Sequence, residues 1–146
     1  MTALHHGAIC VRDLDASLRF YREGIGLVTL MDHEFDGPWS DLFDAPADHL
    51  RSVFLGSPEH PDAGIVELVA FPESAPGNAL PSAARPGFLL LSFFVDVDAT
   101  LARLEALGLE SEPRRVEVAG PTAPVVMATV RDPNGVLVEL VGAAAS

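Results

Sequence analysis

The sequence predicts an α+β protein made of two βαβββ modules. Three observations carry this. Strand and helix periodicities follow one another as strand, helix, three strands, and that order occurs twice. Two landmarks recur in the same order: VRDLDASL (Val11 to Leu18) is matched by VDVDATL (Val95 to Leu101) with one residue dropped, and GIVELV (Gly64 to Val69) by GVLVELV (Gly135 to Val141) with one residue added. A stretch containing Pro76, Pro81, Pro86, Gly77 and Gly87 separates the halves near mid-chain.

In order, Leu4 to Val11 reads as a strand. Asp13 to Ser17 supplies helix-start chemistry, and Leu14, Leu18 and Tyr21 recur at helical spacing opposite Arg19, Arg22 and Glu23. Gly24 and Gly26 end that helix. Val28 to Phe35 is the next strand. Gly37 to Asp48 is polar and carries Pro38 and Pro46, which predicts a loop with a helical turn over Trp39 to Phe43. Leu50 to Leu55 and Ile65 to Phe71 are strands around the turn-rich GSPEHPDAG. In the second half Phe88 to Val95 is a strand. Asp96 to Leu107 is a helix with Leu101, Leu104 and Leu107 on one face, stopped by Gly108. Arg114 to Val118 and Val125 to Arg131 are strands, Asp132 to Gly135 is a turn, and Val136 to Val141 is the last strand. The expected organisation is one domain over 1–146, with module one at 1–72, a linker at 73–87 and module two at 88–146.

Composition narrows the function. With 146 residues, 49% of them hydrophobic, the chain can bury a sizeable core. A formal net charge of −12 argues against nucleic acid and against an anionic membrane surface as partners. All nine cationic residues are arginine, so lysine Schiff-base and P-loop chemistry drop out. Cys10 is the one cysteine, which leaves no disulfide framework and no cysteine-rich metal site. The opening MTALHHG has no basic start and no long apolar run, so the expected location is cytoplasmic.

The tetrapeptide VELV occurs twice, at 66–69 and 138–141, each copy setting one acid into an apolar run. By strand parity Glu67 shares a face with Ile65 and Val69, and Glu139 with Leu137 and Val141. Both faces of each strand are apolar, and an ionised carboxylate buried alone costs several kcal/mol or more. Each acid must therefore be paired, protonated or bound to a cation. On the first strand, His6, Ala8 and Cys10 share one face; with Ile9 and Val11 packed under the helix, His6 points into the concave side of the sheet. Two carboxylates and one imidazole make a hard, partly nitrogenous site for a divalent cation. Taken singly, each residue has a structural alternative: a cavity-mouth glutamate bound to arginine or water, or an idle histidine near the N-terminus.

The phrases LHHGAICVRDLDASLRFYREGIGL (Leu4 to Leu27), GIVELV, LLSFFVDVDATLARLEALG (Leu90 to Gly108) and RDPNGVLVELV (Arg131 to Val141) resemble the vicinal oxygen chelate superfamily, the group of glyoxalases, bleomycin resistance proteins and extradiol dioxygenases. The resemblance implies two modules forming a U-shaped, partly closed mixed sheet around a central cavity, and a homodimer. It implies metal ligands from the first and last strand of each module: His6, Glu67 and Glu139. At the fifth strand the family's metal-binding members carry a histidine where this chain has Leu90. An iron dioxygenase, which uses two histidines and a glutamate, is thereby disfavoured.

The expected function is that of a divalent-metal-dependent lyase or isomerase, the ion being Zn, Mn, Ni or Mg, acting on a small substrate with neighbouring oxygens. Glu67 and Glu139 are the candidate catalytic residues, Glu67 as a ligand able to detach and act as base. The alternative is a metal-free protein that sequesters a small molecule, as bleomycin resistance proteins do; Leu90 with Ser92 and Phe94 would suit its apolar pocket. Trp39, His49 and Arg51 are further pocket candidates, against the readings of a loop anchor for Trp39 and a surface ion pair for Arg51. By parity His5 falls on the opposite face from His6. Cys10 is expected as a small buried hydrophobe, and Arg114 and Arg115 at the surface.

Overall fold

The computed structural model describes residues 2–72, 86–109 and 112–144. The chain divides into two compact units, Met1–Asn78 and Ala79–Ser146. The expected linker over 73–87 lies outside the described residues apart from Pro86 and Gly87. Each unit is an open four-stranded mixed sheet with a helix on one face.

The first unit comprises β1 (His6–Cys10), α1 (Leu14–Leu18) continued by a π-helical segment (Arg19–Ile25), β2 (Val28–Asp36), α2 (Trp39–Phe43), β3 (His49–Gly56) and β4 (Ile65–Ala70). Its strand order is β1-β4-β3-β2, with β1 parallel to β4 and the other pairs antiparallel. The second unit repeats the plan with β5 (Leu91–Phe94), α3 (Val97–Ala106), β6 (Arg114–Ala119), β7 (Pro124–Arg131) and β8 (Leu137–Ala143), in the order β5-β8-β7-β6. The first and last strand of each module pair in parallel. The glutamate-bearing strand is therefore interior in both sheets, flanked on each side by a strand that can reach its acid.

The repeated helix-start phrase does the same physical work twice. Asp13 and Asp96 are N-caps whose Oδ1 atoms accept from the backbone N–H of Ala16 and Ala99, each at 3.0 Å. Gly26, at φ 100°, ends the first helix in the left-handed region that glycine favours. In the DPNG turn, Asp132 Oδ1 accepts from the N–H of Asn134 and of Val136, both at 2.8 Å, and Gly135 takes φ 87°.

The buried helix faces differ in detail from the periodicity. In the first helix the buried residues are Ser17, Phe20, Tyr21, Gly24 and Ile25, while Leu14 and Leu18 are half-buried. From Arg19 onward the helix winds as a π-helix, which turns the face away from the α-helical stripe and places the consecutive rings of Phe20 and Tyr21 inside, edge to face at 4.9 Å. In α3 the buried residues are Val97, Thr100 and Leu104, with Leu101 and Leu107 half-buried. Beneath the helices lie Ile9, Val11, Val53, Leu55, Val66 and Leu68 in one sheet, and Val126, Ala128, Val130, Val138 and Leu140 in the other. No helix among the described residues is long and apolar enough to cross a membrane.

Gly142 marks a close approach of β8 to the start of α3. A Cβ there would stand 2.3 Å from the Val95 carbonyl oxygen and 3.4 Å from Val97 Cγ2. Backbone has to move to admit it, so Gly142→Ala should destabilise the protein by about 1–3 kcal/mol. Urea denaturation would register this as a lower midpoint at unchanged m-value; an unchanged midpoint would contradict it.

Candidate functional site

The face of the first sheet that bears Glu67 follows from register. Residues paired across neighbouring strands point to the same side, so Ala8, Glu67, Phe54 and Met31 form one row, and Cys10, Val69, Ser52 and His33 the next. His6 shares that face. Val66 and Leu68, on the other side of β4, are buried, which makes Glu67 a carboxylate in an apolar strand.

Both oxygens of Glu67 have a polar neighbour. Its Oε1 stands 3.5 Å from His6 Nε2. Its Oε2 accepts from the Ser52 hydroxyl at 2.5 Å. Ser52 is 2% exposed, so its own donor also depends on this bond. A hydrogen bond to a charged group contributes about 1.5–3 kcal/mol, which offsets part of the cost of holding an acid where only 18% of its side chain is exposed. The His6 ring lies 5.3 Å from Phe54, tilted, which restricts its rotation.

His5 joins the group against the parity expectation. Its Nδ1 is 2.7 Å from His6 Nδ1, and its ring packs edge to face on His6 at 5.0 Å and on Phe54 at 5.8 Å. The reason is that β1 begins at His6; His5 precedes the pleat, so alternation does not govern it. One ring must carry the shared hydrogen and the other the lone pair. With His6 as donor, its Nε2 lone pair is left facing Glu67.

In the second unit the equivalent row is Ser92, Glu139, Thr129 and Arg114. The Ser92 hydroxyl donates to Glu139 Oε1 at 2.8 Å. Aligning Ala8–Glu67 with Ser92–Glu139 puts Leu90 at the position of His6, two residues earlier on the first strand of its module. The row Phe94, Val141, Met127 and Val116 on the same face is wholly apolar, and Phe94 is 91% exposed.

The remaining pocket candidates do not join His6 and Glu67. Arg51 and His49 project from the opposite face of β3. Arg51 donates through Nε and Nη2 to both oxygens of Asp32, at 2.9 and 2.7 Å, and holds that carboxyl below its usual range. Trp39 stacks on Phe43 at 5.7 Å and donates to the Phe35 carbonyl at 3.2 Å, which ties it to its own loop. Cys10, at the end of the edge strand β1, is exposed instead of buried; desolvation and then the Glu67 charge push its thiol up. Arg114 and Arg115 are exposed, the latter paired with Asp98 and Glu117. Ser52, Phe54 and His5 are the residues that sequence reasoning missed. A serine two positions before Phe54 in the strand LRSVFLG is the available signal for the first.

The geometry suits two corners of a cation site. Ligand atoms about 2.0–2.2 Å from one tetrahedral zinc stand roughly 3.3–3.6 Å apart, and the His6–Glu67 separation of 3.5 Å falls within that span. Among the described residues, no group of three or more His, Cys, Asp or Glu side chains is disposed to hold a metal ion.

Comparison with known proteins carries the reading further. The family model described as Glyoxalase/Bleomycin resistance protein/Dioxygenase superfamily matches residues 3–140. The chain belongs to this superfamily. Its sequence is 34% identical over 153 residues to the lactoylglutathione lyase-like protein terB of Aspergillus terreus (strain NIH 2624 / FGSC A1156), covering 95% of this chain and 74% of that one. A glyoxalase family protein from Bacillus cereus shares the fold at a TM-score of 0.73 and 22% identity, over 99% of this chain and 96% of that one. The trypanothione-dependent glyoxalase I of Leishmania major does so at 0.61 and 24% identity, over 97% and 87%. The two βαβββ modules are thus the superfamily's fold.

On the outer face His49 is bracketed by acids. Its Nδ1 is 2.7 Å from Asp36 Oδ1 and its Nε2 3.6 Å from Glu34 Oε1, and these partners, Asp36 first, raise its pKa above the ordinary 6.5. A raised folded value means the contribution to stability is complete below the unfolded pKa and is lost as pH rises through the folded one. Proton NMR should find His49 titrating above 6.5, with Asp36→Asn moving it down; a midpoint that ignores the substitution would refute the pairing.

Proposed function

We propose that this chain is a divalent-metal-dependent lyase or isomerase of the glyoxalase type, acting on a small substrate with two neighbouring oxygens. The observation that carries the reading is the His6–Glu67 pair: an imidazole nitrogen and a carboxylate oxygen 3.5 Å apart on one sheet face, each held from behind by a polar neighbour. Membership in the superfamily and likeness to a lactoylglutathione lyase-like protein support it. In this reading His6 and Glu67 are ligands from the first module and Glu139 is the carboxylate ligand from the second. A bound cation would supply a Lewis acid for adjacent substrate oxygens.

The chain's own residues do the rest. Glu67 Oε1 takes a proton from the carbon beside a carbonyl and returns it to the neighbouring carbon, while Ser52 keeps Oε2 occupied and the carboxylate oriented. His5 accepts the Nδ1 hydrogen of His6 and so keeps the Nε2 lone pair available. Phe54 limits the swing of both imidazoles. We read the assembly as a cytoplasmic homodimer; the exposed apolar side chains of Phe94, Val116 and Val118 support a partner surface.

Leu90 and the apolar row through Phe94 and Met127 favour one rival, a metal-free protein that binds a small apolar compound. Elemental analysis of untagged protein separates the two. Stoichiometric divalent metal in the parent, lost in both His6→Ala and Glu139→Gln, is expected; a metal-free parent whose ligand affinity ignores chelator would instead establish the rival.

A further inference from the structure

We propose that Ser52 and Ser92 are positioning residues for the two mid-strand carboxylates, each hydroxyl holding one oxygen of its glutamate and leaving the other for a cation or substrate; the inference deepens the metal-dependent reading and rests on it. The Ser52 bond to Glu67 Oε2 is short, 2.5 Å, and the Ser92 bond to Glu139 Oε1 is of ordinary length, 2.8 Å.

The force of the observation is that the two serines are not copies of each other. Aligned on their glutamates, the modules place Ala8 of β1 where Ser92 of β5 stands, and Met127 of β7 where Ser52 of β3 stands. Duplication of one ancestral serine would put both hydroxyls on equivalent strands. Here the first acid is reached from its antiparallel neighbour and the second from its parallel neighbour. The same hydrogen bond is made by different routes, so the constraint lies on the carboxylate and not on either serine position.

A single hydroxyl donor suits the task. It stabilises the ionised carboxylate and fixes its plane, yet occupies one oxygen, whereas an arginine would take both in bidentate fashion, as Arg51 does with Asp32. Such outer partners typically change metal affinity by about 10–100-fold when removed. In the first module His6 stands beside the remaining oxygen. In the second, Leu90 at the matching position offers no polar atom, so Ser92 carries the orientation of Glu139 through its hydroxyl.

The test uses Zn²⁺ affinity, by competition with a chelator, on the full chain and on Ser52→Ala, Ser92→Ala and Ser92→Thr. Ser92 is exposed, so threonine fits there and the comparison survives if the buried Ser52→Ala variant folds poorly. Expected is a loss of about 10–100-fold in each alanine variant, with Ser92→Thr close to the parent. Alanine variants that bind Zn²⁺ as the parent does, or a Ser92→Thr as weak as Ser92→Ala, overturn the assignment. If the parent binds no Zn²⁺, the cation reading fails, and the serines are judged in the metal-free protein by NMR relaxation of the Glu67 and Glu139 methylene carbons. Greater mobility in the alanine variants upholds the assignment; unchanged mobility overturns it.

Discussion

A carboxylate set into the middle of a strand that is apolar on both sides imposes more on this protein than any other feature. Val66 and Leu68 are buried beside Glu67, and Val138 and Leu140 beside Glu139. Both acids are half-buried there, and a partner lowers the cost of holding a charge at such a position. The neighbouring strands are accordingly furnished with donors. Ser52, buried on β3, has its hydroxyl on Glu67, and Ser92 has its own on Glu139. His6, the first residue of β1, stands at the second oxygen of Glu67.

The module's topology is what makes this solution available. Parallel pairing of the first and last strands puts the beginning of the module beside its end. The strand with the acid then has a neighbour on each side, and a polar group on either can reach it. The helix covers the opposite face, anchored by Asp13 or Asp96 at its cap and by Phe20 and Tyr21 or Leu104 in its packing. That division of labour puts Val53, Leu55, Val66 and Leu68 under the helix and Glu67 with His6 on the other side of the sheet. His49 and Arg51 lie on the helix side of β3 and form a separate ladder with Asp32, Glu34 and Asp36 of the neighbouring β2.

Much of the architecture was legible because it rests on local rules. Alternation located the strands, including the side on which His6 and Glu67 fall, and the repeated cap phrases and the DPNG turn located the breaks. Legibility failed where a local rule stopped applying. Alternation puts His5 on the far face, yet it precedes the strand and turns onto His6. Helical spacing points Leu14, Leu18 and Leu101 at helix cores that Ser17, Phe20, Val97 and Thr100 fill instead, in the first helix because of its π-helical winding. Cys10 reads as interior on its chemical type, whereas its place at the end of an edge strand leaves it exposed.

By itself the sequence determined the duplicated module, the strand carrying each acid and the absence of histidine at Leu90, since each of these depends only on residue order and period. The tertiary structure alone decided which hydroxyl serves which carboxylate. Cross-strand register is set by packing and hydrogen bonding over many residues, and Ser52 lies fifteen positions from Glu67 while Ser92 lies forty-seven from Glu139. No local periodicity spans such separations, so those partnerships exist only once the sheets have formed.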